Sequence, residues 1–236
     1  MMEELKYHYK YPHPSVTTDC VIFGYDGTKL NVLLIERGVD PFKGCWAFPG
    51  GFLNMDETAL QGAKRELKEE TGLEDAYIRQ FHTFTAVDRD PRERVITVAY
   101  YALVRISEVK GGDDAAKAQW FPLDQVPSLA FDHDKILRQA LSELRRQIHF
   151  EPIGFELLPE KFTLTQLQHL YEVILGVKFD RGEFCNKMLK LGILTESEEK
   201  LTLGNKDVAI LYQFNPENYN EMKEKGFRLE FYRRTC

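Results

Sequence analysis

Gly50-Gly51-Phe52-Leu53-Asn54-Met55-Asp56-Glu57, continued by Arg65-Glu66-Leu67-Lys68-Glu69-Glu70-Thr71-Gly72-Leu73, holds the densest chemistry in this chain of 236 residues. The segment from Thr58 to Thr71 lacks proline and ends at Gly72, so it reads as a helix with a glycine C-cap. Glu66, Glu69 and Glu70 stand at i, i+3 and i+4 and share one helix face. Carboxylates so placed repel each other by roughly a few tenths of a kcal/mol per pair. A solvated acidic face is one reading. The other is that a divalent cation turns the repulsion into ligation, and hard oxygen donors select Mg2+ or Mn2+. Gly50-Gly51 suits a sharp turn that brings a bare backbone carbonyl close to a ligand. Glu57 precedes Arg65 by eight residues, so an ion pair between them would brace loop against helix.

The order Gly51, five residues, Glu57, seven residues, then Arg65-Glu66-Leu67-Lys68-Glu69-Glu70-Thr71-Gly72-Leu73 resembles the Nudix box at all nine of its fixed or restricted positions. The resemblance implies an α-β-α sandwich that hydrolyses a nucleoside diphosphate linked to another group. It makes Glu66, Glu69, Glu70, Arg65 and Glu57 the expected catalytic set. The Gly50 carbonyl, Glu66, Glu69 and Glu70 are the expected cation ligands.

The chain is 43% hydrophobic and 29% charged, ordinary values for a globular protein with real cores. Its length allows one large domain or two small ones. A net charge of −6 argues against a strong nonspecific grip on nucleic acid. Cys20, Cys45, Cys185 and Cys236 are scattered and form no C-x-x-C pair. A zinc site or disulfide framework is therefore not expected, and a reducing cytoplasm is. No apolar run suits a signal peptide or a bilayer span, so no membrane partner is expected.

Residues 1–13, with the run Tyr7-His8-Tyr9-Lys10-Tyr11, read as an arm, loosely ordered or docking on a partner or on its own domain. Residues 14–150 read as the first domain. Val16 to Phe23 and Leu30 to Ile35 are β-branched apolar runs split by Tyr25-Asp26-Gly27-Thr28, a hairpin signal. Arg37, at the end of the second run, faces either water or a diphosphate, and the resemblance favours the diphosphate. Trp46 and Phe48 read as core residues or as base-stacking platforms. The stretch from Phe42 to Phe52 resembles the lead-in of Nudix enzymes that cleave ADP-ribose. The charged loop Asp88-Arg89-Asp90-Pro91-Arg92-Glu93-Arg94 is either solvated or reaches over the metal site. In the second case Arg89, Arg92 or Arg94 meets phosphate and Glu93 is an extra base or ligand. The expected substrate-binding residues are thus Arg37, Phe48, Arg89, Arg92 and Glu93. Tyr77 to Val87 alternates loosely, Val95 to Val104 and Ala118 to Pro122 read as strands, and His133 to Ile148 reads as an amphipathic helix. His133, between Asp132 and Asp134, reads as helix capping rather than as a metal ligand.

Pro152-Ile153-Gly154 marks a break, and residues 151–236 read as a second domain. Thr163 to Gln166 has a capping-box shape, followed by a helix to Gly176; a second helix starts near Asp180 and stops at Gly192. Ile193-Leu194-Thr195 and Val208 to Phe214 read as strands, so the order is that of a winged helix. Phe162-Thr163-Leu164, Leu170-Tyr171-Glu172, Ile174-Leu175-Gly176, Leu211-Tyr212-Gln213-Phe214 and Leu129-Ala130-Phe131-Asp132-His133 resemble the Nudix-related transcriptional regulators. That resemblance implies double-stranded DNA as a partner, a Nudix sensor for ADP-ribose or a sugar, and a homodimer. The helix Asp180-Arg181-Gly182-Glu183 departs from the arginine-rich opening of that family, and the turn from Gly204 to Ala209 departs from its wing. Residues 152–236 hold 12 Lys plus Arg against 13 Asp plus Glu. Arg181, Lys187, Lys190 and Lys206 are the cations left to meet phosphate. The fold expected overall is α+β, a Nudix α-β-α sandwich with a smaller winged helix-turn-helix domain. Two functions are carried forward: an Mg2+-dependent hydrolase of a nucleotide sugar such as ADP-ribose, and a ligand-sensing DNA-binding regulator.

Overall fold

A computed structural model describes residues 9–73, 76–106, 115–202 and 208–226. The first unit contains strands β1 (Ser15–Tyr25), β2 (Leu30–Arg37), β3 (Trp46–Ala47), β4 (Gly50–Phe52), β5 (Tyr77–Phe84), β6 (Val95–Arg105) and β7 (Ala115–Pro122), with helices α1 (Ala59–Thr71) and α2 (His133–Gln147). The sheet is mixed. β1 runs parallel to β6 along its whole length and antiparallel to β2, β5 is antiparallel to β6, and β7 and β3 flank β2.

Both faces of this sheet are covered, which is why β1, β2 and β6 read as continuous apolar runs. Cys20, Ile22, Leu33, Tyr100, Ala102 and Val104 face Ala63 and Leu67 of α1. The alternate residues Val21, Phe23, Val32, Leu34, Tyr101 and Leu103 face Ile136, Ala140 and Leu144 of α2. A period-2 strand between two period-3.6 helices gives the α-β-α sandwich directly.

β1 has two partners on one edge. Ile22–Tyr25 pair with β2, whereas Thr17–Asp19 pair with β4. The edge therefore forks, and the first turn of the chain beyond the fork opens a cleft beside Asp19 and Gly50.

The second unit contains α3 (Leu164–Leu175), α4 (Arg181–Lys190), β8 (Leu194–Thr202), β9 (Val208–Phe214) and α5 (Pro216–Glu224). α3 opens on a capping box between Thr163 and Gln166 and closes on Gly176, whose φ of 66° lies in the left-handed region. Asp180 caps α4 by accepting from Glu183 N. β8 extends well past the expected Ile193–Thr195, with an irregular register between Glu196 and Lys200. Helix α5 was not expected. Asn215 caps it and Pro216 opens it, a readable start signal. Leu167, Leu170, Tyr171, Ile174, Phe184, Met188 and Tyr212 join the same buried cluster as α2 and the sheet, so one core runs through both units. Glu151 fastens the seam, accepting from Arg79 of β5 and from the Tyr219 hydroxyl of α5. The expected arm falls largely outside the described residues; Tyr9 within it donates to Met55 Sδ. Among the described residues no helix is long and apolar enough to cross a membrane.

Candidate active site

Two glycines make room for the acidic helix. A Cβ on Gly50 would lie 2.2 Å from the Thr18 carbonyl oxygen, and one on Gly51 would lie 2.2 Å from Glu66 Oε1. Neither glycine is needed for a positive φ, so their role is space rather than turn geometry. Gly50 N–H donates to Glu70 Oε2 at 2.8 Å, tying the C-terminal turn of α1 to β4. Glu66 lies flat against Gly51. Burial lifts its carboxyl above the ordinary range, against the opposing pull of Arg65.

Arg65 is the hub of the acidic face. It donates through Nε and NH2 to both oxygens of Glu57, and through NH1 to Glu66 Oε1 at 2.7 Å and Glu69 Oε2 at 2.9 Å. The paired bonds from Arg65 hold the Glu57 carboxyl down at about 2. The expected brace between Glu57 and Arg65 is thus present. Glu66, Glu69 and Glu70 keep one helix face, yet Arg65 bridges the first two. Among the described residues no group of three His, Cys, Asp or Glu side chains is gathered tightly enough to hold an ion as they stand. The donor set still fits a hard divalent cation, since each carboxylate carries two oxygens and Gly51 leaves Glu66 directly on the backbone.

Beside this face lies a cleft of about 140 Å3 whose lining includes Arg37, Gly50, Gly51, Glu70, Arg92 and Phe131. Arg37 donates through Nε to the Pro41 carbonyl and stacks its guanidinium 4.9 Å from the centre of the Phe131 ring. Arg92 pairs with both oxygens of Asp90 and lies 5.6 Å from the same ring centre. Burial pushes the Asp90 carboxyl up, but the Arg92 bonds outweigh it and leave it below its ordinary value.

Several expectations are corrected by these contacts. Phe48 is 2% exposed and stacks on His133, so it is a core residue whose edge reaches the cleft rather than an open platform. Arg89 lines the cleft, but its guanidinium is buried between Asp132 and Asp19 and is already neutralised there. Glu93 is not part of the cleft lining; its carboxylate accepts the Ser15 hydroxyl at 2.7 Å. His133 does not cap α2. It sits inside the helix, and its Nδ1 accepts Phe48 N–H at 3.0 Å, while Asp132 serves Arg89 instead of the helix end. Asp19, Asp132 and Phe131 were not singled out from the sequence. Arg181 and Lys190 are exposed on α4 and Lys187 is half-buried in its last turn; Lys206 lies outside the described residues.

A family model described as the NUDIX domain matches residues 13–142, more than half of the chain. The chain belongs to the NUDIX family. A second model, described as the NrtR DNA-binding winged helix domain, matches residues 154–214, so this NUDIX protein carries a winged helix behind its sandwich. It is 34% identical over 215 residues to the ADPR responsive transcriptional repressor NtrR of Acinetobacter baylyi, covering 89% of this chain and 86% of that one. It is 43% identical over 136 residues to the ADP-ribose pyrophosphatase of Methanocaldococcus jannaschii, covering 57% and 78%. Among solved structures, Shewanella oneidensis NrtR complexed with a 27mer DNA superimposes with a TM-score of 0.76 at 31% identity, covering 91% of this chain and 97% of that one.

Proposed function

We propose that residues 14–150 of this NUDIX protein hydrolyse the diphosphate of a nucleotide sugar, ADP-ribose being the best match. In the same reading residues 151–236 bind double-stranded DNA, and the chain works as a cytoplasmic homodimer. The observation that carries the catalytic part is the Arg65 hub. One guanidinium organises Glu57, Glu66 and Glu69 beside a glycine-backed cleft that two further arginines enter. The similarity to an ADPR responsive repressor and to an ADP-ribose pyrophosphatase supports the same ligand.

Glu66, Glu69, Glu70 and the Gly50 carbonyl are the residues that would hold Mg2+ or Mn2+. A cation bound there supplies charge neutralisation on the diphosphate oxygens and acidifies an attacking water. The rest is done by the chain. Arg37 and Arg92 meet the diphosphate with charge-assisted bonds. Glu66, which lies against Gly51 at the cleft, or a carboxylate from a neighbouring loop takes the water's proton. Arg65 and Glu57 keep the acidic face aligned, and Arg89 locks Asp19 to Asp132 behind the cleft.

The regulatory reading rests on a separate observation. Helix α2 begins in the cleft at His133, and Arg145 near its far end donates to the Ile174 carbonyl of α3 at 2.8 Å. Occupancy of the cleft is thereby linked to the winged helix, and an enzyme so built also serves as a repressor. The test is ADP-ribose cleavage with Mg2+ in wild type, Glu69→Gln and Glu70→Gln. Each variant is expected to lose about 100-fold or more in turnover with an unchanged circular dichroism spectrum. Undiminished cleavage in both would remove the hydrolase assignment. Sequence-specific DNA retardation without cleavage in the wild type would make the sensor role primary.

A further inference from the structure

Phe131 is held in an unusual way. Its φ of 54° lies in the left-handed region, where a large side chain is rare. The backbone on either side is pinned: Ala130 N–H donates to the Trp46 carbonyl, and His133 N–H donates to the Ala130 carbonyl. Asp132 is clamped by Arg89, and His133 accepts Phe48 N–H. The outcome is a phenyl ring held in the cleft lining. Phe42, itself at φ 65°, meets that ring edge-on at 4.7 Å.

Two guanidinium groups, one from a strand end and one from a loop, converge on this one ring. Arg37 comes from the end of β2 at 4.9 Å, and Arg92 from the loop before β6 at 5.6 Å. Phe52 backs Arg92 at 5.1 Å. A ring face attracts each cation, whereas the two cations repel one another. Asp90 offsets part of the charge of Arg92, and the ring gives both guanidinium groups a common surface, so an anion with more than one phosphoryl group gains most from the pair.

We infer that Phe131 is a positioning residue: its ring sets Arg37 and Arg92 as a pair at the cleft mouth and so makes the site prefer a diphosphate over a single phosphate. The inference rests on the diphosphate reading above and adds the residue that determines it. Neither arginine alone distinguishes the two ligands, because one guanidinium already satisfies one phosphoryl group.

The experiment compares ADP-ribose, AMP, pyrophosphate and phosphate by calorimetry on the full chain, in wild type, Phe131→Leu, Phe131→Asn and Phe131→Tyr. Asparagine suits the left-handed backbone and gives a second folded variant without the ring. Phe131→Leu and Phe131→Asn are expected to bind ADP-ribose and pyrophosphate about tenfold more weakly, with AMP and phosphate changed by less than about threefold. Phe131→Tyr is expected to retain the wild-type preference, since its ring has the same face. Thermal melts of the same samples show whether the fold persists. Equal losses for one and two phosphoryl groups, or unchanged pyrophosphate binding in Phe131→Leu, would overturn the inference. Wild-type protein that ignores ADP-ribose yet binds pyrophosphate in a Phe131-dependent way would sink the nucleotide-sugar reading and leave this one standing. Binding of neither would end both.

Discussion

Burial is expensive for an ionisable side chain unless a partner shares its charge or its proton. Glu66 has Arg65 for this, and Asp19 and Asp132 have Arg89. His133 solves the problem by staying neutral. Burial outweighs the nearby carboxylates of Asp19 and Asp132 and holds its pKa below the ordinary 6.5. Nδ1 accepts from Phe48 N–H, so the remaining proton sits on Nε2, 3.6 Å from Asp19 Oδ1. On unfolding the imidazole regains its ordinary affinity for a proton. Stability is then fully present above about pH 6.5 and is lost as pH falls below it, by at most about 1.4 kcal/mol per pH unit for one proton. Melting temperatures between pH 7.5 and 5.5 should show this decline, and His133→Gln should flatten it. A variant with the wild-type slope would place the titration elsewhere. Nothing in the sequence around Asp132-His133-Asp134 told a cap from a buried acceptor, because both readings use the same residue types. The distinction needed Phe48, 85 residues earlier.

At the scale of elements, α1 to α4 and the strands of the wing were legible, whereas α5 and the full length of β8 were not. Thr163 and Gln166 exchange both bonds of a capping box, as their spacing predicts. Thr163→Ala is expected to cost about 1 kcal/mol in urea unfolding, read as a lower midpoint at unchanged slope. A change below a few tenths would mean that packing of Leu167 and Tyr171 alone sustains the helix. The strand expected at Ile193–Thr195 stopped short of the end of β8 because Glu196-Ser197-Glu198-Glu199-Lys200 has neither β-branched enrichment nor apolar alternation. Pairing with β9, rather than propensity, makes it a strand. The acidic helix was the easiest element to place and the hardest to interpret. Its three glutamates share a face by helical geometry, but whether that face meets water or a cleft depended on β4 folding back against β1.

For the whole molecule, the single core running from Phe23 through Leu144 to Phe184 makes the two units one cooperative body. The cleft helix α2 packs in that same core, and its Arg145 donates to the Ile174 carbonyl of α3. The winged-helix region carries no net positive charge, with 12 Lys plus Arg against 13 Asp plus Glu. With Arg181, Lys187 and Lys190 on α4 and Lys206 beyond the described residues, each chain neutralises few phosphates. The logarithm of its DNA affinity should fall with the logarithm of salt at a slope of about −3 to −4 per chain. Anisotropy titrations on DNA from upstream of its gene, between about 50 and 200 mM salt, measure this slope. Lys187→Glu should both weaken binding and flatten the slope; an unchanged slope would move the contact surface off α4.

Local periodicity and caps in the sequence placed the acidic helix and the order of the winged helix, and the sandwich was implied by the resemblance that one dense motif carries. Tertiary structure decided which charged residues are available for chemistry. Arg89, Arg92 and Glu93 are near-neighbours in one loop, yet the fold buries the first between two aspartates, aims the second at the Phe131 ring and turns the third to Ser15. The two arginines are chemically identical and all three residues are charged, so only partners brought from distant parts of the chain separate a structural ion pair from a ligand contact.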